Sequence, residues 1–485
     1  MRIAFISLFR KGLGGGEGRV AHELADHFNL DHDVVMICPA RETGLYERED
    51  GLEMFGIQSV MEGDEFELPA LSGSVVHEMF EFLDLFDPHI VHAHEAASIG
   101  LIGQVWARMN QVPFVHTTHV LPRNPFEFGA VDALNVRIMR SSFSESVLQR
   151  ALGDFYDNCD AIIALNRSVM EALRQFGYEG RIFIIPNGRD LAQYAKCVPA
   201  DMDAAERILT FVGYLTDRKN QAYLIRMASH LPQNYRLQLI GDALDPEYGH
   251  GLRDLCERMG CDNVIFTGQI PHEEIPQHLE KTHIFVSASK MEAQSLVIIE
   301  ALASGTPVVG LSNETIDELV DEGVGHRLPK DTEPEVFARY VEEVCSLPQT
   351  AYDRMCAEAR RRVTDLDWSN VVDATVQAYN VLLEEEAPET EEDERSSLDS
   401  LVSFLPDGEV REILVERLDA REEQREARGG FRPRRTLRAK WRALRRVPHS
   451  TWVFAGLTIL LSLIIRVVVR SAASLSRLVK PSRSG

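Results

Sequence analysis

The sequence predicts an α/β fold in two units, each a parallel sheet covered by helices on both faces, set across a cleft. Three observations carry this. Short apolar runs of strand type alternate with helix-like stretches, the pattern restarts after a polar stretch near residues 195–206, and the chain is long enough for more than one core. Its 485 residues, 45% of them apolar, suit two to four domains at roughly 100 to 200 residues each.

Residues 3–7 (IAFIS) form the first apolar run, followed by a glycine loop and by Val20, Leu24 and Phe28 at helical spacing. Further strands are expected at 34–38, 90–93, 114–117, 161–165 and 182–185, so that residues 1–195 make the first unit. The restart gives strands at 208–212, 236–240, 264–266, 284–287 and 307–310, in a second unit over 206–365. Parallel sheets joined this way bind ligands beyond the carboxyl ends of their strands, so a site between the units draws on both.

A closing helix is expected over 366–383, then an acidic linker at 384–397, a charged helical and basic segment at 398–446, and an apolar stretch at 451–469. The net charge of −24 conceals a partition: residues 428–485 hold 14 bases and no acid, leaving 75 acids against 37 bases before them. Such a body repels phosphate backbones, which argues against a nucleic-acid partner. The tail is different. Residues 451–465 reach about 22 Å as a helix, short of a hydrocarbon core of about 30 Å, but 467–469 extend them and Arg466 can snorkel. Eight bases within 432–446 favour an anionic membrane surface and keep the body on its cytoplasmic face. An apolar helix buried against the body is the plainer alternative.

Seven cysteines, odd in number and without a C-x-x-C, indicate neither a disulfide framework nor a zinc site, and a reducing cytoplasm suits them. The first apolar run is too short for the core of a signal peptide.

Several motifs carry chemistry. The loop Gly12-Leu13-Gly14-Gly15-Gly16-Glu17-Gly18 lies between a strand and a helix, where backbone amides can approach an anionic or polyhydroxyl ligand. It also fits a dinucleotide fingerprint, but its glycines stand too far from the strand, which disfavours an oxidoreductase. His92-x-His94 has ligand spacing, yet no third ligand completes a metal set, so satisfied structural histidines are the better reading. The strand ending at Gly213 delivers Arg218 and Lys219 into a loop, where a lysine can act as a point charge on phosphate or simply be solvated.

The stretch from Ser289 to Val309 places two carboxylates, Glu292 and Glu300, around the first turns of an apolar helix that ends at Gly305. Free amides at Ser295, Leu296 and Val297 would suit a diphosphate, Glu300 could accept two ribose hydroxyls, and Glu292 could reach the sugar end of the same ligand. A helix-capping role for these glutamates is the alternative.

At these residues the sequence resembles a glycosyltransferase of family 4, over about residues 1–383. The most specific part is E-x7-E, Glu292 to Glu300, with the trailing A-L-A-S-G-T-P-V-V; GGGE at 14–17, P-x-V-x-T-x-H ending at His119, Ile185-Pro186-Asn187-Gly188, and Gly213 with Lys219 support it. The resemblance implies the GT-B fold, two Rossmann-like domains facing across a cleft. It also implies a retaining transfer of a hexose-type sugar from a nucleotide-diphosphate sugar, UDP- or GDP-linked, with no bound metal and no other cofactor.

Position by position, the resemblance places residues 1–195 on the acceptor side and assigns Lys219 to the diphosphate, the glycines 14, 15 and 16 to the diphosphate or the acceptor, Glu300 to the ribose, and Glu292 and His119 to the transferred sugar. Gly213, Arg218, Gln294, Ser295, Leu296 and Val297 complete the donor site. The sequence departs from the family at Tyr214, where an arginine is usual and for which Arg218 could substitute, and at Gln294-Ser295, where Phe-Gly is common. With the basic, apolar tail, a lipid or lipid-linked glycan is the expected acceptor, and a glycolipid of the cell envelope the expected product. A catalytically inactive, membrane-tethered nucleotide-sugar-binding protein of the same fold is the alternative that Tyr214 raises.

Overall fold

The computed structural model describes residues 1–48, 51–62, 67–96, 98–121 and 142–384. Beyond residue 384, the expected linker, the basic segment at 398–446 and the apolar stretch at 451–469 lie outside the described residues. Among the described residues no helix is long and apolar enough to cross a membrane.

The first unit runs β1 (Arg2–Ile6), helix Gly15–Phe28, β2 (Asp33–Ala40), β3 (Gly44–Glu47), β4 (Glu53–Glu62), β5 (Glu67–Pro69), helix Gly73–Phe86, β6 (Ile90–Ala93), helix Ser98–Asn110, β7 (Phe114–Thr118), helix Ser142–Asp157, β8 (Ala161–Ala164), helix Arg167–Phe176 and β9 (Ile182–Ile184). Its sheet has the order β3-β4-β2-β1-β6-β7-β8-β9, with β5 added to β4. Strand β1 is parallel to both neighbours, Ile3 facing Val34 on one side and Ile90 on the other. Helices cover both faces, which is why Ile3, Ala4, Phe5 and Ile6 are all buried and the strand reads as an unbroken apolar run.

The second unit repeats the plan with β10 (Arg207–Val212), helix Gln221–Ala228, β11 (Tyr235–Ile240), helix Pro246–Met259, β12 (Val264–Gly268), helix Ile275–Glu280, β13 (Ile284–Ser287), helix Leu296–Ser304, β14 (Val308–Leu311), helix Glu314–Leu319, β15 (Gly325–Leu328), and helices Pro334–Cys345 and Gln349–Arg362. Its sheet order is β12-β11-β10-β13-β14-β15. Strand order reverses at β1 in one sheet and at β10 in the other, and the chain leaving these two strands forms the glycine loop and the Gly213–Lys219 loop. Both motifs therefore stand at switch points, where such sheets bind ligands.

Helix Trp368–Glu384 returns to the first unit and closes the molecule. Its Tyr379 and Leu382 share a core with Ile3, Phe5 and Phe28, and Trp368 stacks on His27 with ring centroids 5.0 Å apart. Each such large side chain, fully buried, contributes on the order of 1.5–3 kcal/mol.

Four strands lie outside the sequence expectation. β3 and β5 are short antiparallel additions beside β4, with Leu45 on β3 67% exposed, and β4 itself carries Glu53 and Gly56 in what would otherwise be an apolar run. β15 reads Gly-His-Arg-Leu. β3, β5 and β15 are short strands at sheet margins, and β4, inside the sheet, has its apolar run broken by Glu53, Gly56 and Gln58.

Candidate functional site

The glycine loop leads from β1 into helix Gly15–Phe28, which Gly14 caps at φ 76° without a side-chain hydrogen bond. A Cβ at Gly14 would lie 2.1 Å from the Phe9 ring, so no larger residue fits. Gly15 and Gly16 face the second unit: a Cβ on Gly15 would meet the Tyr214 ring at 3.5 Å, and one on Gly16 the Leu296 side chain at 3.1 Å. The fold thus brings loop residues 14–16 against the start of helix Leu296–Ser304 and against Tyr214, which follows Gly213. Lys219 lies beside Gly213 in turn, its Cε 4.0 Å from where a Cβ would stand.

Lys219 and Glu292 meet directly. Lys219 Nζ donates to Glu292 Oε1 at 2.5 Å, and Arg218 Nη1 stands 3.4 Å from Oε2 and donates to the Met291 carbonyl at 3.2 Å. Glu292 is buried and Lys219 largely so, with side chains 8% and 14% exposed. Burial pushes the Glu292 carboxyl up, but the charges of Lys219 and Arg218 outweigh it and hold the group below its ordinary range. Burial draws the Lys219 ammonium down from its usual value, and Glu292 opposes that. A buried cation and carboxylate thus stand beside the positive end of a nine-residue helix.

Two expectations need correction. The amide of Ser295 is not free, because it donates to Thr315 Oγ1 at 2.8 Å. Leu296 and Val297, in the first helical turn, are the amides that lack an intrahelical acceptor. Gln294 ties the two units together instead of presenting its amide to the cleft: its Oε1 accepts from the Asn187 amide at 2.7 Å, and its Nε2 donates to the Leu165 carbonyl at 3.3 Å. Asn166 reinforces the same seam through the Ala293 carbonyl at 2.6 Å. A glutamine beside a serine at a helix start reads from sequence as a polar contact to ligand, and which partner it takes depends on tertiary packing.

Glu300 is 1% exposed and sits among nitrogen-bearing side chains, two of them arginines. Its Oε1 lies 3.0 Å from His272 Nε2, 3.1 Å from Arg189 Nε and 3.9 Å from Arg19 Nη1. Burial pushes this carboxyl up, and the His272 hydrogen bond with the Arg189 and Arg19 charges holds it below its ordinary range. Arg189, also 1% exposed, reaches back to Glu23 of the first unit at 2.6 Å. No motif pointed to Arg189 or His272; the one signal was an arginine directly after Asn187-Gly188.

His119 is half-buried in the first unit, its Nε2 2.9 Å from His94 Nδ1, and burial pushes it down to about 3, so it is neutral. Among the described residues no contact joins it to Lys219 or Glu292. His92 is fully satisfied, bonded to the Tyr379 hydroxyl at 2.6 Å and to Thr117 Oγ1 at 2.7 Å, as a structural histidine should be. Glu17, in the glycine loop, is pushed up to about 8 by burial and by the charge of Glu95.

Residues 14–193 match the family model described as Glycosyltransferase Family 4, and residues 200–362 the model described as Glycosyl transferases group 1. An alpha-monoglucosyldiacylglycerol synthase of Streptococcus pneumoniae is 26% identical over 246 residues, 48% of this chain and 54% of that protein. A D-inositol 3-phosphate glycosyltransferase of Mycolicibacterium gilvum is 25% identical over 307 residues, 60% of this chain and 65% of that protein. The chain therefore spans between half and two-thirds of the length of these relatives.

Among solved structures, sucrose-phosphate synthase from Thermosynechococcus elongatus superposes with a TM-score of 0.63 at 18% identity, covering 79% of this chain and 98% of that one. Anabaena HepE in complex with UDP-glucose gives a TM-score of 0.61 at 19% identity, covering 79% of this chain and all of the other. At such identities the likeness is one of fold. The family models together match more than half of the sequence, and the chain belongs to glycosyltransferase family 4, with the GT-B fold.

Proposed function

We propose that the protein moves a hexose-type sugar, with retention, from a nucleotide-diphosphate sugar to a lipid or lipid-linked acceptor at the cytoplasmic face of a membrane. The observation that carries this reading is the meeting of Lys219 and Glu292, from two different loops, at the start of helix Leu296–Ser304. A donor diphosphate placed there takes Lys219 as its counter-ion and the Leu296 and Val297 amides as donors. Glu292, released from Lys219, accepts from hydroxyls of the sugar, and Glu300 from the ribose. Arg218, already beside Glu292, supplies the second cation that the family's usual arginine would bring, which weighs against an inactive protein despite Tyr214.

In the transfer itself the bond from the sugar's anomeric carbon to the leaving phosphate breaks while a bond to the acceptor oxygen forms on the same face. The acceptor's proton passes to the departing phosphate oxygen. Lys219 and the helix start stabilise the charge that develops there, so the step calls for no metal. The names of two relatives support this choice of partners: the synthase of Streptococcus pneumoniae is named for a diacylglycerol, and HepE was crystallised with UDP-glucose.

The test is turnover by the purified full chain of a panel of UDP- and GDP-sugars with extracted membranes as acceptor. Wild type is expected to glycosylate a lipid from one donor, and Lys219→Ala to lose about 10²–10³-fold in kcat. Equal turnover by Lys219→Ala, or a wild-type protein that consumes none of the donors, contradicts the reading.

A further inference from the structure

Two buried ionic groups meet where the connection between the units crosses the cleft, and their hydrogen bonding is incomplete. Arg189 belongs to the segment that follows β9, and its backbone is pinned by its amide donating to the Leu366 carbonyl at 2.8 Å. Its Nη1 is satisfied by Glu23 Oε2 at 2.6 Å. The other edge of the guanidinium is turned to Glu300: Nε stands 3.1 Å from Oε1, yet neither Nε nor Nη2 has a hydrogen bond, and Glu300 Oε2 has none either. The Tyr194 hydroxyl, 3.5 Å from His272 Nε2, walls the same place. Three unsatisfied polar atoms on two side chains that are each 1% exposed constitute a costly arrangement unless something completes it.

We infer that Arg189 is a donor-binding residue that completes, with Glu300, a site for the vicinal diol of the donor's ribose. Glu300 Oε2 accepts a hydrogen bond from one hydroxyl, and Arg189 Nη2 donates to the oxygen of a hydroxyl of the same pair. A carboxylate offers only acceptors and a guanidinium only donors, so together they match a diol, which needs both. Glu23 holds the guanidinium from the opposite side, so a side chain of the acceptor-side unit contributes to donor affinity. The inference rests on the proposed donor site and adds to it a residue from the connection between the units.

The experiment is calorimetric titration of the full chain with UDP and GDP and with their 2′,3′-dideoxy counterparts. Arg189→Met is expected to bind the better nucleotide about tenfold more weakly, and Glu23→Gln to weaken it in the same direction. Both variants should match wild type on the dideoxy compound, which wild type itself binds less well. Glu23, at 29% side-chain exposure, tolerates substitution and carries the test should Arg189→Met not fold. Unchanged affinity for the ribonucleotide in a folded variant, or an equal loss on both compounds, overturns the inference alone. Wild type that binds neither ribonucleotide overturns the transferase reading along with it.

Discussion

Lys219 and Glu292 each make the other tolerable in a largely buried place, so removing Glu292 strands the lysine, and removing Lys219 leaves Glu292 only the longer contact with Arg218. Stranding a buried charge costs about 3–5 kcal/mol, far more than the intact pair contributes. Lys219→Ala should therefore lower the unfolding free energy read from urea denaturation by up to an amount of that order, and Lys219→Ala/Glu292→Gln should recover a large part of it; additive losses would show that the two do not act as a pair. Glu17 offers a second handle at this scale. Its carboxyl, raised from 4.5 to about 8, favours the protonated fold, so its stabilising effect is full below pH 4.5 and lost as pH rises through 8. The difference in melting temperature between wild type and Glu17→Gln should shift in favour of the variant across that window. A difference independent of pH would mean that the group is solvated.

The glycine loop and the Leu296 helix act as elements. A Cβ on Gly16 would already press on Leu296 at 3.1 Å, so Gly16→Phe should wedge the units apart, raise the radius of gyration in small-angle scattering and weaken donor binding. An unchanged radius would place the loop away from the interface. Much at this scale was legible in the sequence. Buried parallel strands such as β6 and β13 read as apolar runs because both faces are covered, and the helix after Glu292 announced its end through Gly305, which caps it at φ 85°. Strands β3, β4, β5 and β15 escaped notice because charged residues and glycine interrupt them. The site was legible as separate motifs, Lys219 in one loop and Glu292 in another, but their meeting across 73 positions was not. It was not legible where partners come from far along the chain: Gln294 bonds to Asn187, Ser295 to Thr315, and Glu300 faces Arg189.

For the whole molecule, the closing helix locks the first unit through one polar contact inside an apolar core. The bond of 2.6 Å between His92 Nδ1 and the Tyr379 hydroxyl has no access to water as a replacement, so Tyr379→Phe should cost about 1–3 kcal/mol in chemical denaturation; no loss would mean that the ring nitrogen finds another partner. The tail acts at this scale as well. The eight bases of 432–446 and the apolar stretch after them would raise the local concentration of a lipid acceptor without altering the chemistry. A chain truncated after residue 427 should leave the membrane pellet and keep its donor binding; a truncated chain that still pellets would place the membrane contact elsewhere.

The central claim is that a diphosphate sits at the start of helix Leu296–Ser304 in the grip of Lys219. A crystal structure with the donor nucleotide tests it most directly. The distal phosphate should lie within hydrogen-bond distance of Lys219 Nζ and the Leu296 and Val297 amides, with Glu292 detached from the lysine. A complex in which Lys219 remains on Glu292 and the phosphates bind elsewhere would contradict the account.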